Sequence, residues 1–157
     1  MPSSTFEKAR ARIWIDFVGS RVISSFHRFL QCTAEGDELD GHRQDFLKIL
    51  KEFTEAMDGE GPFFLGKEVS LVDVTIAPWA IRLWIFDHFK EGGLGLDGQS
   101  GAWVKRWGKF VKAVEDLDCV KATTSEREHY LPIYKRYADN TAQSELAKAT
   151  RSGRGVP

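Results

Sequence analysis

The chain has 157 residues, the length of one ordinary domain, and can bury a core without disulfide or metal staples. Its 22 Lys and Arg against 23 Asp and Glu leave a net charge of -1, so it has no global attraction for nucleic acid or an anionic membrane. Cys32 and Cys119 fall outside any CxxC pattern, MPSSTFEKAR has no signal-peptide core, and no apolar run is long enough to cross a bilayer, so a soluble cytoplasmic protein is expected.

Ser4 and Glu7 form a capping-box pattern that opens a helix expected to run to about Gln31. Phe6, Ala9, Ile13 and Phe17 make one apolar stripe, and Ile15, Val22, Phe26, Phe29 and Leu30 continue on an offset face. Such a helix would span roughly 40 Å, so a bend is expected at Gly19-Ser20, where the stripe shifts. Trp14, among Arg10, Arg12 and Asp16, marks this half as a candidate partner surface, although a lone Trp is more often core. After TAEGDELDG, the residues Leu39, Arg43, Phe46, Leu47, Leu50, Phe53 and Met57 mark a second amphipathic helix.

The central element is GPFFLGKEVSLVDVTIAPWAIRLWIF, Gly61 to Phe86. Gly61-Pro62 and Gly66 bracket a tight turn that turns Phe63, Phe64 and Leu65 inward. Ser70 and Asp73 then form a second capping box, with Val69 and Val74 at the positions of a hydrophobic staple. The helix that follows is apolar nearly all round, which predicts a buried position, closure near Phe89 and a bend at Val74 caused by Pro78. Asp73 has no His, Ser or Cys partner in its motif that would make it a general base, so it is assigned to the structural cap.

EGGLGLDGQSG forms a loop, and Trp103, Trp107, Phe110, Val114 and Leu117 repeat at helical spacing, as core positions do. Ser125 and Glu128 give a third capping box, opening a last helix through Tyr130, Ile133, Tyr134 and Tyr137. The fold expected is an all-α bundle of five or six helices around a buried central helix, over residues 1–140. Residues 141–157 are expected to form a weakly structured tail, with SGRGVP disordered.

Few motifs carry chemistry. Gly93, Gly95 and Gly98 satisfy GxGxxG but follow a helix and lack a βαβ unit. His27, His42, His88 and His129 are scattered, so no metal site is expected. No GxSxG appears. Cys119 is expected to be buried and inert, and Cys32, near a helix end, to be open to solvent.

FFLGKEVSLVDVTIAPWAIRLW, with its SxxD cap and the PW and RL that follow, resembles the hallmark stretch of the C-terminal helical domain of cytosolic glutathione transferases. AWVKRWGKFVKAV and TTSEREHYLPIYKRY are most similar to the omega class and its fungal relatives. The resemblance implies that glutathione and the catalytic Cys, Ser or Tyr belong to an N-terminal thioredoxin-like domain, which this chain lacks. It therefore implies no catalytic residue, cofactor or metal in the chain itself. It also implies a hydrophobic substrate pocket lined by His27, Trp79, Arg82, Tyr130 and Tyr134, and a homodimer through the first two helices. At each pocket position core packing competes with pocket lining, and Arg82 could instead pair with Asp87 or Asp73. The function expected is a glutathione-transferase-like domain that binds an apolar ligand and mediates association without conjugating activity of its own. The alternatives are a fragment of a complete glutathione transferase or thiol reductase, and a protein-interaction module.

Overall fold

The computed structural model describes residues 4–155. Ser4 caps α1 (Thr5–Phe17), its hydroxyl accepting the Glu7 N–H at 3.1 Å. The helix passes without a break into a π-helical segment, Val18–Ile23, and on to α2 (Ser24–Gln31). The π turn lies at Gly19-Ser20, where the apolar stripe changes face, and rotates the second half of the helix onto that new face.

α3 (Asp37–Glu55) packs against α2 and buries Leu39, Phe46, Leu47, Leu50 and Phe53. α4 (Leu71–Ala80) starts at the Ser70–Asp73 capping box, and α5 (Trp84–Phe89), α6 (Ala102–Glu115), α7 (Asp118–Thr123), α8 (Arg127–Ala138) and α9 (Glu145–Arg151) follow. Counting α1–α2 and α4–α5 as one interrupted helix each gives, with α3, α6 and α8, five main helices, with short α7 and α9 added. No strand forms among the described residues.

Several local expectations need correction. The central helix does not continue to Phe89, because Ile81–Leu83 form a turn between α4 and α5. Pro78 cannot donate to the Val74 carbonyl, yet the chain stays helical through it and breaks three residues later. α4 is not buried all round: Leu71 and Val74 are 43% and 57% exposed, and Val69 is 42% exposed, so Val69 and Val74 do not close a buried staple. α8 is capped at Glu126, not Ser125, and no side-chain cap bond forms there.

The segment expected to be a loose tail instead forms α9. Ser144 caps it, Ala147 and Ala149 are buried, and the helix docks on α2, where buried Gln31 donates to the Ala147 carbonyl at 3.3 Å. The domain therefore extends to at least Arg151. Val156 and Pro157, part of the expected disordered end, lie outside the described residues.

The Phe63–Gly66 turn is held from two sides. Asp73, 1% exposed, accepts the Phe64 N–H at 2.7 Å on one oxygen, and the Ser70 N–H and hydroxyl at 2.7 and 2.6 Å on the other. Arg106 of α6 donates to the carbonyls of Asp58, Pro62 and Phe63 at 3.0–3.1 Å. A Cβ on Gly61 would lie 1.8 Å from the Gly66 carbonyl oxygen, so only glycine fits there.

Hydrogen bonds to a buried charge are worth more than neutral ones. Asp73→Ala is therefore expected to cost about 3 kcal/mol, more than the ~1 kcal/mol of an exposed cap. Urea unfolding measures this, and a loss below that of an exposed cap would refute the anchoring role.

Candidate functional site

The five pocket candidates come from α2, α4, the Ile81–Leu83 turn and α8, and the fold joins them through one series of ring contacts. His27 lies 5.3 Å from Trp79 and 5.2 Å from Tyr137, ring centre to ring centre. Tyr137 lies 6.2 Å from Tyr134, and Tyr134 lies 6.4 Å from Tyr130. The Arg82 guanidinium stacks 4.6 Å from the Tyr130 ring centre and donates to its hydroxyl at 3.3 Å. Arg82 thus partners Tyr130 rather than Asp87 or Asp73.

These residues differ in exposure. His27 and Tyr134 are buried, at 2% and 8% exposed, while Trp79, Arg82 and Tyr130 are half-buried. Two cavities meet at Arg82. One, about 280 Å³, is mainly apolar and runs between α4 and α7, lined by Val74, Ala77, Pro78, Leu117 and Val120. The other, about 310 Å³, carries Tyr130, Trp84, Ser125 and Arg127. Tyr130 and Arg82 form the front of the aromatic series, with His27, Trp79 and Tyr134 behind. A further cavity of about 570 Å³ under the glycine-rich loop is lined by none of the five.

Two polar groups, Arg82 and the Tyr130 hydroxyl, stand at this front. The Tyr130 hydroxyl accepts from the Ser125 N–H at 3.0 Å and from Arg82, so its own hydrogen is left to donate outward. The Ser125 N–H, with help from Arg82, draws the Tyr130 pKa below the usual phenol value. Burial pushes the Tyr134 hydroxyl the other way, against the opposing pull of Arg82. Neither ring nitrogen of His27 has a partner, and burial lowers its pKa to about 4.

Sequence reasoning missed three features here. Tyr137 completes the ring series, and its helical spacing from Tyr134 and Tyr130 was the available signal. Cys119 is exposed, not buried, and lines the apolar groove. Cys32, Glu38 and His42, which no sequence motif links, place their ligand-type atoms within 4.8 Å of one another.

The His27 shift fixes a pH dependence. The unfolded imidazole takes a proton near pH 6.5, whereas the folded one stays neutral down to about pH 4. Its contribution to stability is complete above pH 6.5 and falls as pH drops toward 4, by about 3 kcal/mol in all. His27→Phe is expected to remove that slope. Paired urea titrations across this range measure it, and parallel curves for parent and variant would show that His27 is not held neutral.

The comparisons with known proteins fit this architecture. Residues 36–114 match the family described as glutathione S-transferase, C-terminal domain. The chain is 28% identical over 109 residues to probable glutathione S-transferase parC of Nicotiana tabacum, covering 68% of this chain and 47% of that protein. It is 24% identical over 139 residues to glutathione S-transferase U19 of Arabidopsis thaliana, covering 84% and 61%. The crystal structure of glutathione transferase Omega 3C from Trametes versicolor superposes with a TM-score of 0.71 at 34% identity, over 91% of this chain and 57% of that one. The chain thus spans about half the length of the curated relatives it matches. Capped central helix, helix order and sequence match agree, and the chain belongs to the glutathione S-transferase C-terminal domain family.

Proposed function

We propose that this chain supplies the helical half of a glutathione transferase: the wall that receives the apolar second substrate, and a surface for association. The observation that carries this reading is the aromatic series that ends at Arg82 and Tyr130, where two cavities adjoin. An apolar groove with a few placed polar groups is the usual form of a small-molecule site. Here the groove would take an aromatic or aliphatic body, and the Tyr130 hydroxyl and Arg82 would take an oxygen acceptor at its edge.

Thiol transfer needs a glutathione thiolate held against the electrophile. We assign no residue of this chain to that step. Glutathione enters with a thioredoxin-like domain, and the chain alone is inactive in conjugation. The setting is cytoplasmic; no helix among the described residues is long and apolar enough to cross a membrane.

A second reading, association, draws on α1. Phe6 and Ile13 of its apolar stripe are 77% and 66% exposed, whereas Trp14 packs 5.3 Å from Phe64 and 5.9 Å from Phe53, ring centre to ring centre. The partner surface is therefore the Phe6–Ile13 stripe rather than Trp14, and it would join two copies through the first helices.

Calorimetric titration of glutathione, and of glutathione conjugated to an aromatic group, tests the first reading. The conjugate is expected to bind through its aromatic part and free glutathione not to bind. Arg82→Ala and Tyr130→Phe should each weaken the conjugate by about fivefold to tenfold, near 1 kcal/mol. Binding of free glutathione would move the thiol site into this chain, and unchanged affinity in both variants would remove the wall assignment. Sedimentation tests the second reading. A dimer converted to monomer by Phe6→Ser with Ile13→Ser is expected, and a parent that stays monomeric at all concentrations would remove it.

A further inference from the structure

We propose that Cys32, Glu38 and His42 form a divalent-metal site of the zinc type that staples the end of α2 to the first turns of α3. Cys32 is the C-terminal cap of α2, and only residues 33–36 separate it from α3. Glu38 and His42 stand four residues apart on α3 and so share one face of that helix. That face meets the Cys32 side chain: the sulfur, a carboxylate oxygen and an imidazole nitrogen all lie within 4.8 Å of one another.

The donor set selects the metal. Thiolate and imidazole favour Zn²⁺ over the hard cations Mg²⁺ and Ca²⁺, and a carboxylate is an ordinary third zinc ligand. Three protein ligands leave a fourth position for water, the open form of a tetrahedral site. Metal–ligand bonds of about 2.0–2.3 Å require the three groups to draw closer by side-chain rotation. Neither Glu38 nor His42 is held in an ion pair among the described residues, so both are free to do so.

Binding replaces the Cys32 S–H bond by a sulfur–metal bond, and the proton passes to solvent. Thiolate and carboxylate together offset the two charges of the cation. The Lys90 ammonium donates to the Cys32 carbonyl at 2.7 Å and its charge opposes a nearby cation, so the affinity falls below that of a closed four-ligand site. The staple crosses the α2–α3 connection, a place distinct from the aromatic wall, and so does not depend on the ligand reading above.

Cobalt(II) is the probe, titrated into the untagged 157-residue chain carrying Cys119→Ser so that any thiolate signal reports Cys32. A thiolate-to-cobalt charge-transfer band with visible bands of tetrahedral intensity is expected, and Zn²⁺ should displace both. C32S should abolish the charge-transfer band. Loss of an outer partner already costs 10–100-fold, so E38Q and H42A, on a helix face that needs neither side chain to fold, should each raise the half-saturating metal concentration by at least about tenfold. Absence of the band in the parent, its persistence in C32S, or an affinity in E38Q and H42A unchanged from that of the parent would each overturn the site.

Discussion

The Asp73 carboxylate is the contact on which the arrangement of the bundle depends. It accepts from the turn at Phe64 and from the helix start at Ser70, so one buried charge fixes the turn and the direction of α4 together. Arg106 takes the Pro62 carbonyl, which the same turn would otherwise leave unpaired, and adds a second donor to the Phe63 carbonyl, which already accepts the Gly66 N–H. With amides and carbonyls both satisfied, Phe64 can be fully buried, its ring centre 5.3 Å from that of Trp14 and 4.9 Å from that of Phe53. α1, α3, α4 and α6 therefore meet at a turn of four residues, and the close approach of Gly61 to Gly66 is what lets it be so tight.

The site follows from the places where helices stop being regular. Had α4 continued through Leu83, Arg82 would stand on the side of a helix. In the Ile81–Leu83 turn it reaches the Tyr130 ring on α8 and borders both cavities. The π segment acts similarly upstream, rotating α2 so that His27 and Phe26 face Trp79 and Tyr134. His27 then sits among rings with both nitrogens unpartnered, a cost of about 1–3 kcal/mol for a buried polar group, which the packed rings must offset.

Features set by neighbours in sequence were legible in advance. The Ser70–Asp73 box spans four residues, and the stripes of α3 and α6 repeat at helical spacing, so caps and helix order follow from the chain itself. Features set by packing were not. α9 is short and weakly patterned, and it is held by Gln31 and the buried Ala147 and Ala149, contacts that only the closed fold provides. Val69 and Val74 have staple spacing, but the groove beside α7 leaves both exposed. Metal-site templates look for His and Cys at fixed intervals, and Cys32, Glu38 and His42 escape them because a chain reversal, not a spacing, brings them together. The pocket candidates came from family likeness, and the ring series linking them came from the tertiary structure.

Exposure of large apolar side chains is not spread evenly. Phe6 and Ile13 lie on α1, and Val69, Leu71 and Val74 at the start of α4, and α1 packs against α4. Ile133 of α8 is the other large apolar residue so exposed among those described. Scattered exposed apolar residues are ordinary on a protein surface, but their concentration on these two elements raises the gain from covering either stretch. At about 25 cal/mol per Å², covering a few hundred Å² of such surface offsets several kcal/mol of association cost. The start of α4 is also the stretch anchored by Asp73, so the carboxylate that orders the interior keeps the exposed Val69, Leu71 and Val74 in fixed positions. A partner arriving there would meet a surface already ordered, and would pay little to organise it.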